Sequence, residues 1–388
     1  MSARLKVGFT GYYGMRNFGD DLFGVLCAAA ARRYWDGEPL LVGPRLAESG
    51  CRSTMPRWYP ASLYGATGAG GKASRLYSFL RAVAGTDVLV MGGGSVITAR
   101  ESFRKPLMLA ARRYRGLQLA AVGVSIGPFA NAAEEAHAAE FVSQFRYLAV
   151  RDARSYEAAQ RMGVGEIAHR GRDLAGLLPL LAPAPRPPQV AGRRLRIGLA
   201  PCNYGAKDGY PVPERVATHA ALVQALKQLA ARFPLQVDVF SLNEHPTHGD
   251  VALGDALQRA LGESGVLSRR VRYRGMGPLA LAREIAACDA FVSARLHGAI
   301  VSYLYGVPFT IIDYHPKCRD FADDIGLGPL QRITAQRHDA AAFGEAFAAM
   351  LAGDGRPALS REIYAGQAQD IFKCAPWAQC ESLQPAPI

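Results

Sequence analysis

Short apolar runs alternate with longer stretches of helical period along this chain. Leu5–Thr10 alternates apolar and polar positions and passes into a glycine-rich turn, Gly11 to Gly19. Asp20 and Asp21 then lead into an apolar helical run, Leu22–Tyr34. This order predicts a strand, a loop and a helix with an acidic first turn. Three continuous apolar runs follow, Thr86–Met91, Ala120–Ile126 and Tyr147–Val150. They end in Gly92-Gly93-Gly94-Ser95, Gly127-Pro128 and Arg151-Asp152. Helical segments separate them, so the pattern predicts a parallel sheet with helices on both faces. Residues 44–75 show no period and predict a long loop or insertion.

Four prolines between Leu181 and Pro188 exclude helix and central strand and mark a linker. The pattern then restarts. Strands are predicted at Leu195–Ala200, Leu235–Ser241, Ala290–Ser293 and Phe309–Ile312, with helices at Pro213–Arg232, Ala280–Cys288 and Leu296–Leu304. The fold class expected is α/β, with two doubly wound Rossmann-like domains facing across a cleft. The first spans 1–180, a linker 181–194, and the second 195–358. A tail, 359–388, carries a helix near Ser360–Phe372 that packs back across the linker. Ligands in such sheets bind at the carboxyl ends of the strands.

The composition changes this picture in two ways. No apolar stretch reaches the ~18 residues of a membrane span, and Met1–Thr10 lacks the long apolar core of a secretion signal. Seven cysteines form no CxxC pair, which argues against a disulfide framework or a zinc ribbon and suggests a reduced, cytoplasmic protein. The net charge is +12, and 38 of the 45 basic residues are arginine. A solvated basic surface is one explanation. An anionic partner is the other: a phosphorylated small molecule, an acidic glycan, or a membrane with acidic lipids. No basic tract interleaved with aromatics points to nucleic acid.

Several motifs carry candidate chemistry. The segment from Gly11 to Asp20 joins the first strand to the first helix, where glycines admit close backbone approach and a helix N-terminus favours anions. Its spacing is not a dinucleotide fingerprint. Asn17, Gly19 and Asp20 suit sugar hydroxyls, and the acids equally suit helix capping. Gly93, Gly94 and Ser95 predict a tight turn or a close approach after a strand. Gly65 to Ala73 resembles a phosphate loop only by chance, since Ala73 replaces the Ser or Thr and no strand precedes it. His245, His248 and Asp250 could be imagined as a metal site, but Pro246 disfavours the helix that would align the rings. Ser293-Ala294-Arg295-Leu296-His297-Gly298 is the sharpest constellation. Arginine offers a planar fork for phosphate or carboxylate, histidine can move a proton near neutral pH, and both stand where a helix begins. Arg151 beside Asp152 fits either an internal ion pair or an anion clamp.

In order, GYYGMRNFGDD (11–21), DVLVMGGGS (87–95), GVSIGPF (123–129), VRDARSYEAAQRMGV (150–164) and SARLHGAIVSYLYGVPFTIIDYHPKCRDFADDIGL (293–327) resemble the polysaccharide pyruvyl transferase family. The resemblance covers about residues 7 to 330, and its last motif is the most specific. It implies a fold like that of GT-B glycosyltransferases, phosphoenolpyruvate (PEP) as donor, and a pair of sugar hydroxyls on an exopolysaccharide or cell-surface glycan as acceptor. The product is a pyruvate ketal, and no separate cofactor or metal is implied. By the resemblance, the motif Arg295-Leu296-His297 and Arg151 bind PEP, and Lys317 follows in the same motif. The chemistry of adding hydroxyls to an enol ether gives His297 and Asp20 the proton-transfer roles. Asn17, Gly19, Gly93, Gly94 and Ser95 form acceptor-side loops. Cys318 departs from the family's pattern and is expected to be oxidation-sensitive. A nucleotide-sugar glycosyltransferase and a non-catalytic glycan-binding protein of the same fold are the alternatives. The acceptor stays open between a free polymer and a lipid-linked unit at the inner membrane face.

Overall fold

The computed structural model describes residues 4–99, 102–183, 193–203, 212–246 and 249–379. The chain forms two compact units. The first comprises residues 1–15, 23–177 and 366–388, and the second residues 16–22 and 178–365.

The first unit holds seven parallel strands: β1 (Lys6–Thr10), β2 (Glu38–Leu41), β3 (Arg52–Ser53), β4 (Val88–Ile97), β5 (Gln118–Ile126), β6 (Tyr147–Val150) and β7 (Ala168–Arg170). Their spatial order is β3-β2-β1-β4-β5-β6-β7. The chain winds outward from β1, returns to β4, and continues the other way, so the topological switch lies between β1 and β4. Every residue of β6 is buried, and β1 is buried after Lys6, as expected for strands covered on both faces. The intervening helices are α1 (Phe18–Trp35), α2 (Ala61–Tyr64), α3 (Ala69–Gly85), α4 (Arg104–Arg115), α5 (Ala132–Val142) and α6 (Ala153–Arg161). The stretch 44–75 is therefore not one long loop. It contains β3, α2 and the start of α3, whose alanine- and glycine-rich first turns hide their period.

The second unit repeats the winding with β8 (Leu195–Ala200), β9 (Leu235–Ser241), β10 (Ser268–Arg272), β11 (Ala290–Ser293), β12 (Phe309–Ile312) and β13 (Arg332–Ile333). The order is β10-β9-β8-β11-β12-β13, all parallel, with the switch between β8 and β11. Its helices are α7 (Leu178–Leu181), α8 (Val212–Ala230), α9 (Val251–Glu263), α10 (Pro278–Ala286), α11 (Leu296–Tyr305), α12 (Pro316–Asp324) and α13 (Ala340–Ala352). A last helix, α14 (Arg361–Lys373), follows.

The units do not follow chain order. Residues 16–22 belong to the second unit because their backbone is held there. Phe18 N–H donates to Leu242 O (2.9 Å), Glu244 N–H donates to Arg16 O (2.9 Å), and Asn17 bridges Asn243. From Gly366 onward the chain rejoins the first unit. There Trp35 Nε1 donates to Phe372 O (2.8 Å), Tyr147 Oη donates to Ile371 O (2.6 Å), and Trp35 packs on Phe372 and Trp377 with centroids 4.9 and 5.4 Å apart. The proline-rich linker expected at 181–194 lies, from 184 to 192, outside the described residues.

Candidate functional site

The second sheet brings charged groups together at its carboxyl edge. Ser293 ends β11 and braces the turn into α11: its hydroxyl donates to Arg295 O (2.6 Å). Gly298 leaves room for it, since a Cβ there would lie 2.4 Å from Ser293 Oγ. Arg295 is the N-cap residue of α11, so its guanidinium and His297 stand at a helix N-terminus, which favours an anion.

Asp250 fixes that guanidinium. Its carboxylate accepts from Arg295 Nε (2.8 Å) and Nη2 (2.5 Å), from Asn203 N (3.1 Å) and from Asn243 N (3.2 Å). Asp250 is fully buried, and it ties together segments that follow β8, β9 and β11. The Nη1 atom of Arg295 makes no hydrogen bond among the described residues. Burial alone would lower the arginine's pKa, but Cys202 and Asp250 beside it raise it, so the group stays charged. The Cys202 thiol and the Tyr314 hydroxyl are 3.1 Å apart, and burial pushes both pKa values up. Lys317, in the first turn of α12, is an electrostatic neighbour of Cys202 and Cys318 and adds a second cation to the same edge.

His297 lies against the segment contributed by residues 16–22. A Cβ on Gly19 would fall 1.8 Å from His297 Nδ1, so only glycine admits the imidazole here. One residue on, Asp20 accepts from Asn17 Nδ2 (2.6 Å). Asp21 is buried and accepts from Tyr273 Oη (2.8 Å), which anchors the start of α1. Asn17, Gly19 and Asp20 thus belong to the unit that carries His297. The sequence expectation had placed them in the opposite domain, and the backbone bonds to Leu242–Glu244 are the reason for the difference.

Other expectations are corrected. Of the two expectations for Gly93, Gly94 and Ser95, the tight turn fails and the close approach holds: the three continue β4, with positive φ at Gly93 and Gly94. The glycines there admit side chains: a Cβ at Gly93 would lie 2.3 Å from Phe23, and one at Gly92 would lie 2.2 Å from Tyr13 Oη. Arg151 is buried in an internal network. Nε donates to Ser125 Oγ (2.7 Å), Nη1 to Asp173 (3.0 Å) and Nη2 to Ser95 Oγ (3.3 Å). Of the two readings of Arg151, its geometry is that of the ion pair. Cys318 is wholly buried and its thiol is pushed up to about 12, so it is protected rather than reactive. His248 lies outside the described residues, and among those described no group of three His, Cys, Asp or Glu is placed to hold a metal.

Asp250 came forward by spacing only as a third group beside His245 and His248, and was missed as the partner of Arg295. Its one signal is an aspartate just before a helical run, the ordinary mark of an N-cap.

Two wholly parallel sheets, each with its own topological switch, define a GT-B-like α/β fold. A structure of UDP-GlcNAc 2-epimerase from Methanocaldococcus jannaschii aligns with TM-score 0.60 at 11% identity, covering 96% of this chain and 99% of that one. The Neisseria meningitidis UDP-GlcNAc 2-epimerase bound to UDP-GlcNAc gives 0.57 at 10% identity over 95% and 97%. A glycosyltransferase from Rickettsia africae ESF-5 gives 0.53 at 9% identity over 97% and 94%. At these identities the likeness is one of fold. Within that fold, a model of the polysaccharide pyruvyl transferase family matches residues 17–316, and the chain belongs to this family. No sequence among the curated proteins matches.

Proposed function

We propose that the protein transfers the enolpyruvyl unit of PEP to two hydroxyls of one sugar, forming a pyruvate ketal and releasing phosphate. The observation that carries this is Arg295. The buried Asp250 fixes its fork, one nitrogen is left for a ligand, and His297 and Lys317 share its edge of the sheet.

PEP carries a phosphate and a carboxylate. Arg295 Nη1, Lys317 and the amides at the start of α11, Leu296 included, suit these anions. In the reaction a proton adds to the methylene carbon, making a methyl group and leaving positive charge on the adjacent carbon. One sugar hydroxyl adds there and loses its proton. The second hydroxyl then displaces phosphate: its oxygen bonds to the same carbon, the carbon–oxygen bond to phosphate breaks, and its proton leaves. The donor and a diol become a ketal and hydrogen phosphate, with protons balanced. His297 is the proposed proton carrier, and Asp20 and Asn17 are the proposed groups for an acceptor hydroxyl. Arg151, already engaged by three oxygens, is left out of the proposed clamp.

Thermal stabilisation by PEP tests this, with UDP-sugars in parallel. PEP is expected to raise the melting temperature of wild type and not of Arg295→Ala, whereas His297→Ala keeps the shift and loses phosphate release. A shift with a nucleotide-sugar and none with PEP overturns the reading.

A further inference from the structure

The basic charge is concentrated in one segment. Residues 49–133 contain eleven Lys and Arg against two Asp and Glu, a net +9 of the chain's +12. This segment supplies α2, α3 and α4, and α3 packs against both of the others.

Helix α3 has two apolar faces. Ser74, Ser78, Phe79, Ala82 and Val83 are buried toward the core. On the other side Ala73, Leu76, Tyr77, Leu80 and Ala84 are exposed at spacings of three and four, which forms one continuous stripe. Tyr77 is 51% exposed. Lys72 and Arg81 flank the stripe, and Arg81 also lies over the Tyr77 ring. On α4 the exposed stripe is Pro106, Leu109, Ala110 and Arg113, and Phe103 just before it packs edge-on against Phe79 of α3. Trp58, ahead of α2, is 79% exposed. A cavity of about 550 Å³ is lined by Arg4, Arg32, Arg45, Arg52 and Arg57, the residue before Trp58, with Glu38 its one acid. A second cavity shares Arg52 and Ser53 with it and reaches Arg81 and Gly85 of α3, so the basic flank is continuous with the stripe.

We infer that the exposed face of α3 and α4, with Trp58, docks the protein onto a membrane surface containing anionic lipids. An apolar stripe flanked by cations and bordered by Trp and Tyr is the pattern of a helix lying in the lipid interface. No helix among the described residues is long and apolar enough to cross a membrane, so this contact would be peripheral. A second copy of the chain fits less well, because pairing this face would bring two strongly positive surfaces together. A soluble acidic polymer would satisfy the cations but not the leucines. The inference stands apart from the donor chemistry: vesicle binding needs no PEP.

The test is co-sedimentation of the full chain with phosphatidylcholine vesicles, with and without phosphatidylglycerol, at low and high salt. Wild type is expected to bind the anionic vesicles and to release as salt rises. Leu76→Asp with Leu80→Asp is expected to lower the bound fraction about tenfold, and Lys72→Glu with Arg113→Glu to lower it at low salt. Ile363→Asp, an exposed position in the second unit, serves as the control and keeps binding. Unchanged melting temperatures show that the variants fold. Absence of binding to anionic vesicles, binding that the Asp variant leaves intact, or a dimer that this variant dissociates would each overturn the proposal.

Discussion

Each unit places an arginine after a strand and pairs it with a buried aspartate, yet the two pairs serve different ends. Arg151 follows β6, two strands away from the β1/β4 switch. All three of its nitrogens face protein oxygens, so it ties β4, β5 and the segment holding Asp173 together. Arg295 follows β11, at the β8/β11 switch itself, and Asp250 takes only two of its nitrogens. The glycines differ in the same sense. In the first unit they make room for Tyr13 and Phe23, whose side chains fill the switch crevice. In the second they make room for Ser293 and His297, which bring polar atoms to it. The same topology thus has its switch point packed by aromatic side chains in one unit and lined by polar groups in the other.

The largest effect expected is removal of either buried carboxylate. Asp173→Ala and Asp250→Ala each strand a buried guanidinium and should cost about 3–5 kcal/mol in chemical denaturation. The comparison predicts that Arg151→Ala lowers stability yet retains a PEP-induced shift in whatever folds, while Arg295→Ala loses the shift. Equal loss of PEP response in both would erase the distinction drawn between them.

Acid should weaken the second unit next. His219 on α8 is buried, its Nε2 has no hydrogen-bond partner among the described residues, and burial followed by the charge of Arg215 lowers its pKa to about 4. Because the folded value lies below the unfolded one, the unfolded chain takes up the proton first. The contribution to stability is complete above about pH 6.5 and is lost as pH falls toward 4, on the order of 3 kcal/mol. His219→Gln should flatten this part of a plot of melting temperature against pH. A profile identical to wild type would remove His219 as the cause.

Gly19→Ala tests the contact that sets the imidazole. The new methyl must displace His297, and a shift of about 1 Å in a reacting group costs on the order of 100-fold in rate, measured as phosphate release with folding intact. Gly19→Ala with wild-type turnover would show that His297 can move without consequence. The smallest effect is at Cys318: with its thiol buried and pushed up to about 12, native protein should resist alkylation there over hours, as peptide mapping would show.

Much of the fold was legible along the chain. The cores of β5, β6, β11 and β12 are nearly continuous apolar runs, because a strand buried on both faces has no polar side to interrupt it; β1 and β9 alternate and were legible by that period instead. Edge strands such as β3, β7 and β10 escaped notice. The last reads Ser-Arg-Arg-Val-Arg, and it is a strand because β9 pairs with it. The Arg-Leu-His constellation was legible too, since arginine, histidine and glycine at a strand-to-helix turn are local chemistry.

What the sequence determined by itself is therefore whatever neighbours in the chain can decide: strand runs, helix starts, the family motifs, the excess of positive charge. Tertiary structure alone decided that Asp250, 45 residues before Arg295, is its partner, that Gly19 marks where His297 lies, and that a helix stripe of leucines is left outside the core. It also decided that the three-glycine run is a packed strand. Pairing energies between distant groups depend on which backbones meet, and local periodicity carries no record of that.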